Sequence, residues 1–288
     1  MLNIWLDKKS TITKQPTMRS LIIRFALLSI ALIFASSNVG ARTCHSVTMS
    51  GPPDFPPVVW SDYLEIHGAA KELLEIAFKR HNIEVKTDHL GGYNRVLSHF
   101  KKGLIHVIPA MTRNSELADH TIFIEPAIYQ QTYAVVVKRD KEHHPQTWDD
   151  LTMLRGVAPR GLTFGDDFNQ FADDNLHVMR TTRPRQGLKM LEVGRVDYAI
   201  YPDIQGDLFV SLLDLEGKFE KTPIDIATFN LYAGVSNALD CNIPLEDISI
   251  TIQALIKSGE AATIFNDSLY KWMGYSLDQK GMTYSPIE

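Results

Sequence analysis

The 288-residue sequence predicts an α/β fold arranged as two similar lobes, and three observations lead there. Short β-branched runs alternate with amphipathic stretches, as expected for helices laid over a mostly parallel sheet. A helix-glycine-strand unit occurs twice: Leu97, Phe100, Gly103 and Ile105 are matched, at the same spacing, by Leu188, Leu191, Gly194 and Val196. Finally, two β-rich runs, Tyr133 to Lys138 and Phe229 to Val235, are placed to carry the chain out of one lobe and back into it. Helix-glycine-strand units are common in α/β chains, so the repeat alone does not require two lobes. Residues 42–136 with 230–288 are expected to form lobe 1, and residues 137–229 lobe 2.

The chain opens on an apolar run, Phe25 to Ala35, too short for the roughly 20 residues that cross a bilayer. Arg19 and Arg24 precede it and the small residues Val39-Gly40-Ala41 follow, which is the layout of a cleavable export signal cut near Ala41. Met18 is then the expected start, with residues 1–17 an upstream extension. The alternative, an amphipathic first helix of the folded domain, lacks a polar stripe between Leu21 and Ala35. Cys44 follows Ala41-Arg42-Thr43, which is no lipidation signal, so a released periplasmic protein is expected.

The mature chain starts with a strand near Cys44 to Met49 and the proline-rich loop Gly51 to Pro57. A helix follows from about His67 to Arg80, with Ala70, Leu73, Leu74, Ala77 and Phe78 on one face. The next strand is Ile83 to Lys86. Each repeat copy then predicts a helix stopped by a left-handed glycine and a strand directly after it. The copies align Thr112 with Asp203, just past two equivalent strands, where ligands sit in open α/β sheets. Ile248, Ile252, Leu255 and Ile256 mark a closing helix, and a short one from Ile264 to Trp272 completes lobe 1.

Without residues 1–41 the chain carries 24 basic and 33 acidic residues, a net charge of −9. That balance argues against nucleic-acid and anionic-lipid partners. Two cysteines remain, Cys44 and Cys241. An oxidising compartment favours their pairing, worth up to roughly 5 kcal/mol by loop entropy, and two separate buried thiols are the alternative. No phosphate loop, nucleophile elbow, paired-cysteine zinc site or metalloprotease helix is present, so neither cofactor nor metal is expected. His143-His144 reads as a solvated loop, and His106 as a hydrogen-bonded core residue. Asp166-Asp167 and Asp173-Asp174 lack the alternating donors of a calcium loop and suit helix ends.

The order of motifs resembles the family 3 extracellular solute-binding proteins over nearly the whole mature chain. The likeness rests on Asp54-Phe55-Pro56-Pro57, Tyr93-Asn94-Arg95-Val96-Leu97, and Gly103 through Met111-Thr112 to Phe123 and Pro126. It continues with Thr147-Trp148-Asp149-Asp150-Leu151 and Gly194-Arg195-Val196-Asp197. The resemblance implies a periplasmic-binding-protein-like type II fold, two α/β lobes joined by two crossing hinge strands that close on a ligand. It implies that Phe55 and Tyr93 sandwich a ligand side chain, that Thr112 lies beside it, and that Gly161-Leu162-Thr163 holds a carboxylate.

Two positions depart from the family. Its carboxylate-binding arginine falls on Leu117, and its amine-binding acid falls near Pro202, one residue before Asp203. A lost charge-assisted bond of roughly 1.5–3 kcal/mol calls for another cation. Arg113 and Arg160 are the candidates, and exposed surface arginines are the alternative. The expected function is non-catalytic: capture of a small polar or zwitterionic, amino-acid-like metabolite by a monomer that serves an inner-membrane ABC permease. The competing readings are a dehydratase similar to cyclohexadienyl dehydratases, with Asp54 or Asp203 as general acid, and a ligand-sensing subunit for a membrane receptor.

Overall fold

A computed structural model describes residues 42–282, except Tyr63, Asn114, Ser115, Gly161, Thr163 and Arg183. The expected export signal, residues 1–41, lies outside the described residues. In lobe 1 the parallel strands β1 (Ser46–Met49), β5 (Glu84–Thr87) and β6 (Val107–Met111) form a sheet. They are joined by the antiparallel β12 (Thr228–Ser236) and the first part of β7 (Thr121–Lys138), in the order β5-β1-β6-β12-β7. Lobe 2 has the order β7-β10-β8-β9, built from β8 (Arg155–Pro159), β9 (His177–Thr181) and β10 (Tyr198–Pro202). The short β11 (Phe219–Lys221) lies on the other side of β7. The proline-rich loop folds into a separate small sheet of β2 (Asp54–Phe55), β3 (Val59–Ser61) and β4 (Ile66–His67).

The 18-residue β7 serves both sheets. It pairs with β12 as far as Thr132, opposite Thr228, and from Tyr133, opposite Pro202, it pairs with β10. Its second half is covered on both faces, as the continuous run Tyr133 to Lys138 requires. Val135 and Val137 enter one core cluster of lobe 2 with Tyr198 and Ile200, while Val136 enters the other with Ala199 and Tyr201. The strand alternation thereby sorts one sheet into two cores.

Helix α1 (Ala69–Arg80) buries Ala70, Leu73, Leu74, Ala77 and Phe78, the face its spacing predicts. Glu72 in its first turn and Lys79 and Arg80 in its last complement the helix dipole. The two repeat copies have the same local structure. Helices α2 (Tyr93–Lys101) and α4 (Pro184–Glu192) each give way to a left-handed glycine, Gly103 at φ 67° and Gly194 at φ 71°. In the first copy the Gly103 and Leu104 amides donate to Phe100 and His99 carbonyls, both at 3.0 Å. In the second, Gly194 and Arg195 donate to Leu191 and Met190 at 3.1 and 2.9 Å. This is the two-bond helix stop that satisfies orphan carbonyls. Phe100 and Leu191 are fully buried, and so are Ile105 and Val196 after the turn.

Between the copies, α3 (Asp166–Asn175) carries Asp166 and Asp167 in its first turn, the helix-end role expected of them. Helix α5 (Asp203–Leu212) follows β10. Near the C-terminus, α6 (Leu245–Lys257) buries Ile248, Ile252 and Leu255, whereas Ile256 turns outward. Cys44 and Cys241 form a disulfide, tying the strand leading into lobe 1 to the segment before α6.

The last helix departs from expectation. Instead of ending near Trp272, α7 (Glu260–Met282) runs for 23 residues. No proline interrupts it, and Trp272 and Ser276 are buried on it, so packing continues beyond the predicted end. It does not keep to lobe 1 either. Ser268 Oγ donates to the Pro57 carbonyl at 2.8 Å and Lys271 pairs with Glu72 at 2.9 Å, while the Trp272 ring lies 6.0 Å from Phe209 on α5.

Candidate functional site

Five of the seven residues singled out from sequence lie at or just past the carboxyl ends of parallel strands or in the loops those ends lead into. Phe55 follows β1, Thr112 and Arg113 follow β6, Arg160 follows β8, and Asp203 opens α5 after β10. Tyr93 opens α2 beyond β5, while Thr163 is outside the described residues. These five therefore sit at or beyond strand ends, and their side-chain surroundings vary.

Phe55 meets Tyr129 edge-on at 6.4 Å, and Tyr129 stacks on Phe265 at 5.5 Å. Asp203 sits close enough to Tyr129 to act on its phenol, which burial first and then that carboxylate push up to about 12. Phe55 and Asp203 thus flank one hinge tyrosine. Asp203 is also ion-paired with Lys221. Tyr93 packs beside Val96, Phe100 and Met111, and burial lifts its phenol to about 12, with Glu116 adding to the shift. Thr112 is half-buried.

Arg113 is engaged locally: its guanidinium lies 4.4 Å from the Tyr232 ring centroid and 5.2 Å from that of Phe123, and it pairs with Glu125. Arg160 is exposed and its amide donates to Thr181 at 2.8 Å. Leu117, where the family places an arginine, is a fully buried core residue. Lobe 2 holds another cation that sequence reading passed over. Arg180 on β9 lies 4.8 Å over Phe164 and donates to the Leu162 carbonyl at 3.3 Å, beside the loop expected to hold a carboxylate. Burial holds its pKa below the ordinary arginine value.

Two cavities lie along the boundary between the lobes. One, of about 580 Å³, follows the hinge and is lined mainly by apolar groups, among them Val58, Ile128, Tyr129, Ile204 and Phe265. The other, of about 370 Å³, holds the chemistry. Lobe 1 supplies Asp54, Trp60, Ser61 and His89, lobe 2 supplies Arg185 from the first turn of α4, and α7 adds Trp272 and Tyr275. None of the seven residues inferred as ligand-binding lines it, whereas Asp54, the candidate general acid, does. Both volumes fall within the few hundred cubic ångströms typical of small-molecule pockets.

Asp54 keeps a solvent-facing edge, yet the surrounding walls crowd its carboxyl and raise its pKa, with Arg185 pulling the other way. Trp60 is 95% buried with its ring 5.3 Å from Tyr275, and its indole N–H has no hydrogen-bond partner among the described residues. Ser61 Oγ and His89 Nδ1 share a hydrogen bond of 2.8 Å. Arg185 carried a sequence signal: an arginine in a helix's first turn, with no acid beside it, opposes the helix dipole. Trp60 follows the proline loop closely, but nothing local shows that it points toward lobe 2. Among the described residues no group of three or more His, Cys, Asp or Glu could hold a metal ion, and no helix is long and apolar enough to cross a membrane.

Two α/β sheets joined by two crossing strands, with loops from both contributing to common cavities, define the type II periplasmic-binding-protein-like fold. No protein-family model and no curated protein matches the chain, but solved structures do. An ancestral arginine-binding protein bound to arginine gives a TM-score of 0.62 at 17% identity, covering 78% of this chain and 99% of that one. An amino-acid ABC-transporter substrate-binding protein from Streptococcus pneumoniae, bound to L-arginine, gives 0.60 at 19%, over 78% and 95%. A histidine kinase sensor domain similar to periplasmic binding proteins gives 0.61 at 18%, over 78% and 96%. These likenesses are of fold, and they agree with the resemblance to family 3 solute-binding proteins.

Proposed function

We propose that this protein is an exported solute-binding protein that captures a small polar or zwitterionic metabolite between its lobes and presents it to an inner-membrane ABC permease. Residues 42–136 and 230–288 would form one jaw and residues 137–229 the other. The observation that carries this reading is the 370 Å³ cavity whose walls come from both lobes, with Asp54 and Trp60 on one side and Arg185 on the other. A ligand touching both jaws stabilises the closed state and no other, so capture and closure are one equilibrium. Phe55, Tyr93, Thr112, Asp203 and the Leu162 loop are further candidates for the rim, with Arg180 a better-placed cation than Arg113. A sensing subunit would use the same capture step.

The test is a thermal-shift screen of the purified protein against a metabolite panel, with mass spectrometry of any co-purifying molecule. At least one small solute is expected to raise the melting temperature, and a panel without any binder, from protein that carries none, would refute the reading. A second reading is supported by the crowded carboxyl of Asp54, whose raised pKa suits a general acid. Incubation with prephenate or arogenate should then yield an aromatic product that Asp54→Asn abolishes.

A further inference from the structure

The jaw-edge cavity has charges that the fold itself leaves uncompensated. Asp54 and Arg185 face it from different lobes, close enough for the guanidinium to act on the carboxyl. Neither side chain forms a hydrogen bond or ion pair with any described residue. Both side chains are exposed, so a solute entering the cavity can reach either charge. The rest of the wall combines the aromatic side chains of Trp60, Tyr275 and Trp272 with Ser61, His89 and Ser276, and the buried indole N–H of Trp60 has no hydrogen-bond partner among the described residues. The cavity therefore offers aromatic side chains together with one negative and one positive group from opposing lobes. An anion alone would be repelled by Asp54 and a cation alone by Arg185, while an uncharged ring would leave both charges unanswered.

We infer that this cavity, which the family's ligand positions do not include, binds a flat ring-bearing solute with a cationic amine at one end and a carboxylate at the other. The amine pairs with Asp54 on lobe 1, the carboxylate with Arg185 on lobe 2, and the ring lies along Tyr275. Because the two protein charges sit on opposing jaws, a molecule whose charges point apart meets both without turning. The inference rests on the solute-binding reading and sharpens it: helix α7 supplies part of the specificity wall, and Asp54 and Arg185 set the ligand's direction.

Calorimetric titration with 4-(aminomethyl)benzoate as the probe tests it, beside benzylamine, benzoate, L-phenylalanine and glucose. The probe should bind roughly tenfold or more tightly than benzylamine or benzoate, the size of one charge-assisted bond. Asp54→Asn should remove its advantage over benzoate, and Arg185→Gln its advantage over benzylamine, a crossed pattern that a merely structural role would not produce. Neither side chain has a hydrogen-bond or ion-pair partner among the described residues, so both variants should keep the wild-type melting temperature. Tighter binding of glucose or L-phenylalanine than of the probe, or unchanged probe affinity in both variants, overturns the inference. If a metabolite from the wider panel binds, is lost in Asp203→Asn and is unaffected by Asp54→Asn and Arg185→Gln, this inference falls while the solute-binding reading stands. A panel without any ligand removes both.

Discussion

His106 illustrates how one side chain links the sheet to pH. Its backbone amide donates to the Thr48 carbonyl, and its Nδ1 accepts from the Thr48 amide, both at 2.8 Å. An accepting Nδ1 requires a neutral ring. Burial lowers its pKa below the ordinary histidine value, opposed by Asp240 and the Gly103 carbonyl. The unfolded chain thus binds this proton more readily than the native protein. Its contribution to stability is complete above about pH 6.5 and is lost as pH falls from there toward the depressed native value. Calorimetric melting between about pH 7.5 and 5.5 should show a fall in wild-type melting temperature that is smaller in His106→Gln. The core role of His106 was legible because an imidazole between Ile105 and Val107 has little else to do. The engagement of Arg113 was not, since Glu125, Phe123 and Tyr232 reach it through strand pairing that no local spacing encodes.

At the scale of elements, the two glycine stops allow a matched comparison. Both residues have positive φ, so alanine at either incurs the left-handed penalty of roughly 1–2 kcal/mol. Their surroundings differ: a Cβ on Gly194 would meet open space, whereas one on Gly103 would lie 2.8 Å from the Ala238 carbonyl oxygen. Urea unfolding should therefore find Gly194→Ala destabilised by about that penalty and Gly103→Ala by clearly more. These units were readable from sequence because the helix stop is local, set by one glycine and the apolar residues around it. The true length of α7 was not. Its continuation past Trp272 brings Tyr275 against Trp60, which comes from a distant part of the chain.

For the whole molecule, the Cys44–Cys241 bond spans 197 residues of sequence. Cross-linking so long a loop restricts the unfolded chain, with an upper value of roughly 5 kcal/mol and a common range of 2–5 kcal/mol. The double variant Cys44→Ser/Cys241→Ser should unfold at lower denaturant by an amount within that range, and reductant should shift wild type in the same direction. Two lobes and the strand ends that face their cleft could be foreseen, because strand periodicity and the internal repeat survive without tertiary information. Which side chains line the cavity could not, because Trp60, Arg185 and Trp272 meet there only after two lobes and a terminal helix have assembled.

Helix α7 makes that assembly mechanically informative. Its 23 residues form a rod about 35 Å long, braced on α1 through Lys271 and on α5 through Trp272. A change in the angle between the halves must either pull the indole away from Phe209 or drag the rod's far end along with lobe 2. Closure of the jaws on a solute, as proposed above, would therefore have to reach α7 through these two contacts.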